Sequence, residues 1–164
     1  LVKIDSNYCD YLRKFDSKVP YNYGRKEARP FIGVLFKVDN YMYFAPLSSP
    51  KPKHLVMKNS IDFMKLDEGN LGVVNFNNMI PVKSNNITVL DLDKEMFEFY
   101  KYSNLLKLQL YYLRENDAQL FRHSKQLYNR YLNNNLPKNI YDRCCNFKLL
   151  EEKCEEFNKQ YISN

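Results

Sequence analysis

The sequence predicts an α+β fold: a compact antiparallel β-barrel core, preceded by an N-terminal helix and followed by a C-terminal helical half. Three observations carry that prediction. Apolar, β-branched and aromatic runs bounded by turn residues crowd the stretch from 31 to 92. Apolar residues then recur every three or four positions from Phe99 onward. No linker long enough to separate two domains lies between the halves, so 1–164 reads as a single domain.

Val2 to Ile4 reads as a short strand, and Ser6 as the N-cap of a helix carrying Tyr8, Tyr11, Leu12 and Phe15 at helical spacing. A loop follows from Asp16 to Arg29, punctuated by Pro20 and Gly24. Phe31 to Val38, the turn Asp39-Asn40 and Tyr41 to Ala45 make a hairpin, because both turn residues tolerate positive φ. Pro46, Pro50 and Pro52 are expected to bar ladder bonding, leaving a stiff loop through His54 at a strand end. Further strands are expected at 61–66, 71–76 and 87–92, with a turn or single helical turn at 77–81.

Three helices follow. Phe99, Tyr102, Leu106, Leu110 and Leu113 define the first, its apolar face widened by Leu105, Leu108 and Tyr112. Leu120, Leu127 and Tyr131 mark the second. Phe147, Leu150, Cys154, Phe157 and Tyr161 mark the third, with Cys154 as a small buried hydrophobe. Asn146 is placed to cap that helix, Glu151 and Glu152 to complement its dipole, and the acidic run to Glu156 to form a solvated face.

Composition narrows the class. Apolar residues at 45% and charged residues at 27% exclude general disorder. No apolar stretch approaches the ~18 residues of a membrane span, and Leu1 to Asp5 is too polar for a signal peptide. Cys9, Cys144, Cys145 and Cys154 contain no CxxC pair, and the two histidines, His54 and His123, stand far apart. No metal or cofactor is therefore expected, and reduced thiols in a cytoplasm are the default. The 14 Tyr and 11 Phe are unusual; most tyrosines are expected at core edges, where a ring with a polar tip fits.

The net charge of +6 is uneven. Residues 1–54 hold ten Lys/Arg against five Asp/Glu, and residues 55–164 hold fifteen against fourteen. A basic region on an otherwise balanced chain is the footprint of a polyanion partner. Dinucleotide, P-loop, HExxH and GxSxG signatures are absent, and two histidines leave little of the commonest general base. The dense segment is Ser48-Ser49-Pro50-Lys51-Pro52-Lys53-His54: two hydroxyls, two ammonium groups and an imidazole. Such a group can bind and polarise a phosphate, with lysines neutralising its oxygens and hydroxyls donating to them. RNA supplies its own nucleophile, the 2′-OH, so cleavage needs only proton removal, charge stabilisation and in-line positioning. The same segment also reads as a proline-rich surface loop with solvated lysines.

Several blocks resemble the ToxN/AbiQ family. They are Lys14-Phe15-Asp16-Ser17-Lys18-Val19-Pro20, Arg29-Pro30-Phe31-Ile32-Gly33, Phe44-Ala45-Pro46-Leu47-Ser48-Ser49-Pro50-Lys51, Leu71-Gly72-Val73, Met79-Ile80-Pro81 and the stretch from Cys145 to Lys153. They keep their order over nearly the whole chain. The resemblance implies a metal-independent endoribonuclease toxin of a type III toxin–antitoxin system, acting in abortive infection, with a barrel core like that of the MazF/Kid toxins. It implies a pseudoknot RNA antitoxin that the toxin also processes, a target RNA, and a cyclic toxin–RNA assembly.

In that family a Thr/Ser-Ser pair with Lys two positions later carries the active site, which maps onto Ser48, Ser49 and Lys51. The basic position before the Phe-Ile-Gly strand maps onto Arg29, where a guanidinium that keeps its proton suits charge stabilisation. A helix tyrosine maps onto Tyr8; another aligns with Tyr11, read here as core, and a loop tyrosine finds a substitute in Tyr21 or Tyr23. On this reading Lys51 and Arg29 stabilise the transition state, and Ser49, with Tyr8, aligns the 2′-OH or protonates the leaving 5′-oxygen. Lys53, His54, Arg25 and Lys26 hold flanking phosphates, and the products are a 2′,3′-cyclic phosphate and a 5′-OH. Two rivals use the same residues differently: a non-catalytic RNA-binding module with stacking tyrosines, and a scaffold whose helices 95–161 bind a protein.

Overall fold

A computed structural model of the chain describes residues 1–21, 29–93 and 100–162, the last three of these by backbone alone. The elements run β1 (Val2–Ile4), α1 (Ser6–Arg13), β2 (Phe31–Ile32), β3 (Lys37–Val38), β4 (Tyr41–Ser48), α2 (Pro52–Val56), β5 (Phe63–Lys65), β6 (Val73–Asn75), β7 (Ile80–Val82) and β8 (Ile87–Val89). The helical half holds α3 (Tyr100–Glu115), α4 (Asp117–Leu132), a short α5 (Lys138–Tyr141) and α6 (Phe147–Ile162).

β4 organises the sheet. Its first half pairs with β3 and β7, through Val38↔Tyr41 and Tyr43↔Pro81 among others. Its second half pairs with β2 and β6, through Phe31↔Pro46 and Leu47↔Val74. The main path is β5-β6-β4-β2-β1-β8, with all described pairings antiparallel. Among the described residues β5 and β8 each have one neighbour, so the sheet is open and the expected closed barrel is not formed. The physical reason is ladder length. One eight-residue strand is flanked by strands of two or three residues, and its partners change midway along. That bends the sheet without carrying it round.

Pro46 was expected to end the ladder, and instead it lies inside β4. The Leu47 amide donates to the Pro30 carbonyl at 2.9 Å, so position 46 directs its missing N–H to the opposite side. There β7 has ended at Phe44 and β6 begins at Leu47, so no donor is required. β4 thus carries its ladder straight to Ser48.

Helix α6 packs on β7 and α1, burying Phe147, Leu150, Cys154 and Phe157. Asn146 caps it through Oδ1, which accepts from the Leu149 amide. The N-cap of α1 is Asp5 rather than Ser6; its carboxylate accepts from the Tyr8 amide at 2.8 Å. The acidic run of α6 is not all solvated. Glu151 lies in the second turn and is buried, its Oε1 accepting from Tyr43 at 2.7 Å and Tyr128 at 2.6 Å, while Lys148 meets Oε2 at 2.8 Å. On α3 the buried stripe is Ser103, Leu106, Gln109 and Leu113, and Leu108 faces outward.

Candidate active site

Ser48 is the last residue of β4 and sits between two segments of the chain. Val73 of β6 is its register partner on one side. On the other, the Leu47 amide donates to the Pro30 carbonyl at 2.9 Å, so the segment that follows Arg29 runs beside the end of β4. Arg29 is half-buried, and that burial lowers its pKa from the ordinary arginine value. Tyr102 of α3 lies close enough to act electrostatically on the guanidinium. The Ser48 hydroxyl oxygen accepts from Asn75 Nδ2 at 2.9 Å, which leaves the hydroxyl hydrogen to donate elsewhere.

Beyond Ser48 the chain turns through exposed Ser49, Pro50 and Lys51 and enters α2. Pro52, at the start of that helix, has the fixed φ this position favours and needs no hydrogen-bond partner for a missing N–H. The His54 amide donates to the Lys51 carbonyl at 2.8 Å, and the Lys51 amide donates to His54 Nδ1 at 3.2 Å. Lys51 and Lys53 are exposed, whereas His54 is only 2% exposed. Burial first, then Lys53, Lys51 and Lys65, lower the pKa of this imidazole.

The floor beneath this turn is the loop from Leu66 to Gly72. Gly69 and Gly72 have φ of +99° and +96°. A Cβ on Gly69 would meet the His54 carbonyl oxygen at 2.6 Å, and one on Gly72 would overlap the Ser48 carbonyl oxygen. Backbone therefore lies directly on backbone, which only glycine allows. Gln109 of α3, itself buried, donates to the Leu71 carbonyl at 2.7 Å and ties the floor to the helical half.

The structure thus places Ser48, Ser49, Lys51 and Lys53 on one turn, with the segment that follows Arg29 beside the strand that enters it. It does not bring Tyr8 to them. Tyr8 is fully buried, its ring edge-on to Phe157, and its hydroxyl donates to the Pro81 carbonyl at 2.6 Å. Pro81 pairs with Tyr43, five residues before Ser48 and hence on the order of 15 Å along the strand. Tyr11, read as core, packs against it while half-exposed, its ring on Phe15 and Phe157 and its hydroxyl donating to Glu156. His54 does not face solvent to hold phosphate; its ring is packed inside the loop. Tyr21 is exposed under the Arg13 guanidinium. Arg25, Lys26 and Tyr23 lie outside the described residues. Asn75, Gly69, Gln109 and Tyr102 were missed, since a lone amide, Gly or Tyr carries no motif; Gly72 was visible only within Leu71-Gly72-Val73.

The chain is thus an α+β protein whose bent antiparallel sheet ends in a turn that bears hydroxyl and ammonium groups. The family model described as toxin ToxN of the type III toxin–antitoxin system matches residues 1–155, and the chain belongs to that family. It is similar to endoribonuclease ToxN of Bacillus thuringiensis subsp. kurstaki, 34% identical over 96% of this chain and 83% of the relative. It is likewise 34% identical to endoribonuclease ToxN of Pectobacterium atrosepticum, over 96% of this chain and 92% of that one. Endoribonuclease AbiQ of Lactococcus lactis subsp. lactis is 31% identical over 96% of this chain and 88% of its own length. A solved structure concerned with selective toxin inhibition by a non-coding RNA pseudoknot superposes with a TM-score of 0.82 at 33% identity, covering 96% of both chains. The structure of AbiQ, a lactococcal anti-phage endoribonuclease, gives 0.79 at 28% identity, again covering 96% of each chain.

Proposed function

We propose that this chain is an endoribonuclease toxin of a type III toxin–antitoxin system, acting in the cytoplasm and in defence against phage. It cuts RNA without a metal ion, by attack of the 2′-OH on the adjacent phosphate. The observation that carries this reading is the Ser48–Lys51 turn. It rests on two glycines in positive φ, and the bond from the Leu47 amide to the Pro30 carbonyl runs the segment next to Arg29 alongside the strand that leads into it. Kinship with named endoribonucleases over almost the full chain supports it.

The residues divide the chemistry. The exposed Lys51 ammonium and the Arg29 guanidinium neutralise the phosphoryl oxygens as charge builds in the transition state. Ser48, whose oxygen is already engaged by Asn75, donates its hydrogen to a phosphoryl oxygen. Ser49 aligns the 2′-OH or delivers a proton to the departing 5′-oxygen. Lys53, with Arg25 and Lys26, holds flanking phosphates. The inhibitor on this reading is a pseudoknot RNA, a reading supported by the solved relative's inhibition by a non-coding RNA pseudoknot; the toxin also trims it and binds it in a cyclic toxin–RNA assembly.

Ser49→Ala and Lys51→Ala test the assignment directly. Both side chains are exposed, so each variant keeps the wild-type circular dichroism and melting temperature. Each loses on the order of 10²-fold or more in RNA cleavage and no longer arrests growth. Undiminished cleavage in either variant would remove that residue from the site. Salt-sensitive RNA binding by a wild-type chain that never cuts would instead select the non-catalytic RNA-binding module.

A further inference from the structure

We propose that His54 is a positioning residue: its neutral imidazole, held as the Nε2–H tautomer, fixes the Lys51 backbone and so aims the Lys51 ammonium. This rests on the assignment of Lys51 to the reacting phosphate. Two bonds carry it. The His54 amide donates to the Lys51 carbonyl at 2.8 Å, and His54 Nδ1 accepts from the Lys51 amide at 3.2 Å. The same pair of residues is thereby tied twice, in the reciprocal pattern that stabilises helix starts. An Nδ1 that accepts carries no hydrogen, so the ring proton is on Nε2.

An imidazolium donates from both nitrogens and cannot accept the Lys51 N–H. Protonation therefore breaks one of the two ties, and the surroundings oppose it. The ring is buried. Lys51 and Lys53 face it from its own loop and helix, and Lys65 from β5. The 3-10 turn packed against α2 presents the Gly69 backbone to His54, and its carboxylates, Asp67 and Glu68, are exposed. Lys51 and Lys53 thus do double duty. They gather phosphate, and with Lys65 they keep neutral the imidazole that orders one of them. The floor is matched to this use, because a Cβ on Gly69 would push on His54 itself.

The test compares His54→Asn, His54→Gln and His54→Ala in the full chain. An Asn Oδ1 falls where Nδ1 stood and accepts without titrating, whereas the Gln amide reaches past that point. Two readouts are used: cleavage of a labelled transcript that the wild type cuts, from pH 5 to 8.5, and hydrogen exchange of the Lys51 amide. Expected are near-wild-type cleavage at pH 8 for His54→Asn, with a weakened fall on the acid side, and slow Lys51 exchange. His54→Gln and His54→Ala lose about 10²-fold, as for an ångström of misplacement, and exchange Lys51 faster. Equal activity in His54→Asn and His54→Ala would overturn the proposal. So would a ring ¹⁵N spectrum of the wild type at pH 7 showing Nδ1–H, a result that stands whether or not the chain cuts RNA. If Lys51→Ala cuts normally while Lys51 exchange still follows the His54 series, the failure belongs to the Lys51 assignment and not to the strut.

Discussion

Gly72→Ala makes the strongest demand on the proposed site, because it adds one methyl group at a residue to which the proposal assigns no contact with RNA. Gly72 has φ +96°, where an alanine costs about 1–3 kcal/mol. Its Cβ would stand 3.0 Å from the carbonyl carbons of both Ser48 and Ser49, and nearer still to the Ser48 oxygen. Carbon atoms pack at about 3.5–4.0 Å, and the overlap with the Ser48 carbonyl oxygen is deeper than that with either carbon, so the Ser48-Ser49 backbone must retreat by more than about 1 Å. A displacement of that size is worth about 10²-fold or more in rate. The expected outcome is a folded protein, its melting temperature lowered, whose cleavage falls by about 10²-fold or more. The assay is single-turnover cleavage below the melting transition, beside Asn70→Ala, an exposed position at φ −62° that should cut normally. A folded Gly72→Ala protein cutting at the wild-type rate would refute the idea that this floor sets the reactive geometry.

The remaining predictions separate core from site. Tyr8→Phe removes the donor to the Pro81 carbonyl and lowers stability by about 1–3 kcal/mol, yet leaves cleavage unchanged; a proton-transfer role would instead cost ~10²–10⁴-fold. Glu151→Ala strands the buried Tyr43 and Tyr128 hydroxyls and lowers stability by about 2–6 kcal/mol in denaturant titrations, taking each orphaned hydroxyl at about 1–3 kcal/mol. The pH dependence of that cluster has a definite sign. Burial raises the pKa of Tyr43 and raises that of Tyr128 to about 12, so the fold prefers both phenols neutral. Their contribution is complete below the ordinary tyrosine value of about 10 and is lost as pH climbs from there toward 12. Melting temperature should therefore fall over that interval, and less steeply in Tyr128→Phe.

Much of the fold was legible because it is written in local periodicity. The stripe Phe147, Leu150, Cys154, Phe157 needed only a step of three or four, and the Asp39-Asn40 turn only residue types suited to positive φ, which Asp39 adopts at +48°. What stayed hidden depends on neighbours remote in sequence. β7 carries a proline and only three residues, and it is a strand because Tyr43 pairs with Pro81. Pro46 reads as a breaker until the change of partner strand at Ala45 and Pro46 is known. Glu151 looks solvated until two tyrosines from β4 and α4 converge on it. At the proposed site, Ser49 and Lys51 were singled out by their chemistry and the family pattern, and both are exposed. Tyr8 was misplaced because an aromatic on a helix face gives no sign of whether its hydroxyl meets substrate or a buried carbonyl.

The central claim is that the RNA's own 2′-OH breaks the chain within a cradle of protein cations and hydroxyls. End-group analysis of RNA cut in excess EDTA tests it most directly, run beside a substrate carrying a single 2′-deoxy sugar at the cleavage position. The account predicts a 2′,3′-cyclic phosphate and a 5′-OH, undiminished cutting with the chelator, and an intact deoxy-substituted site. A 3′-OH end, cleavage abolished by EDTA, or cutting at the deoxy position would contradict it.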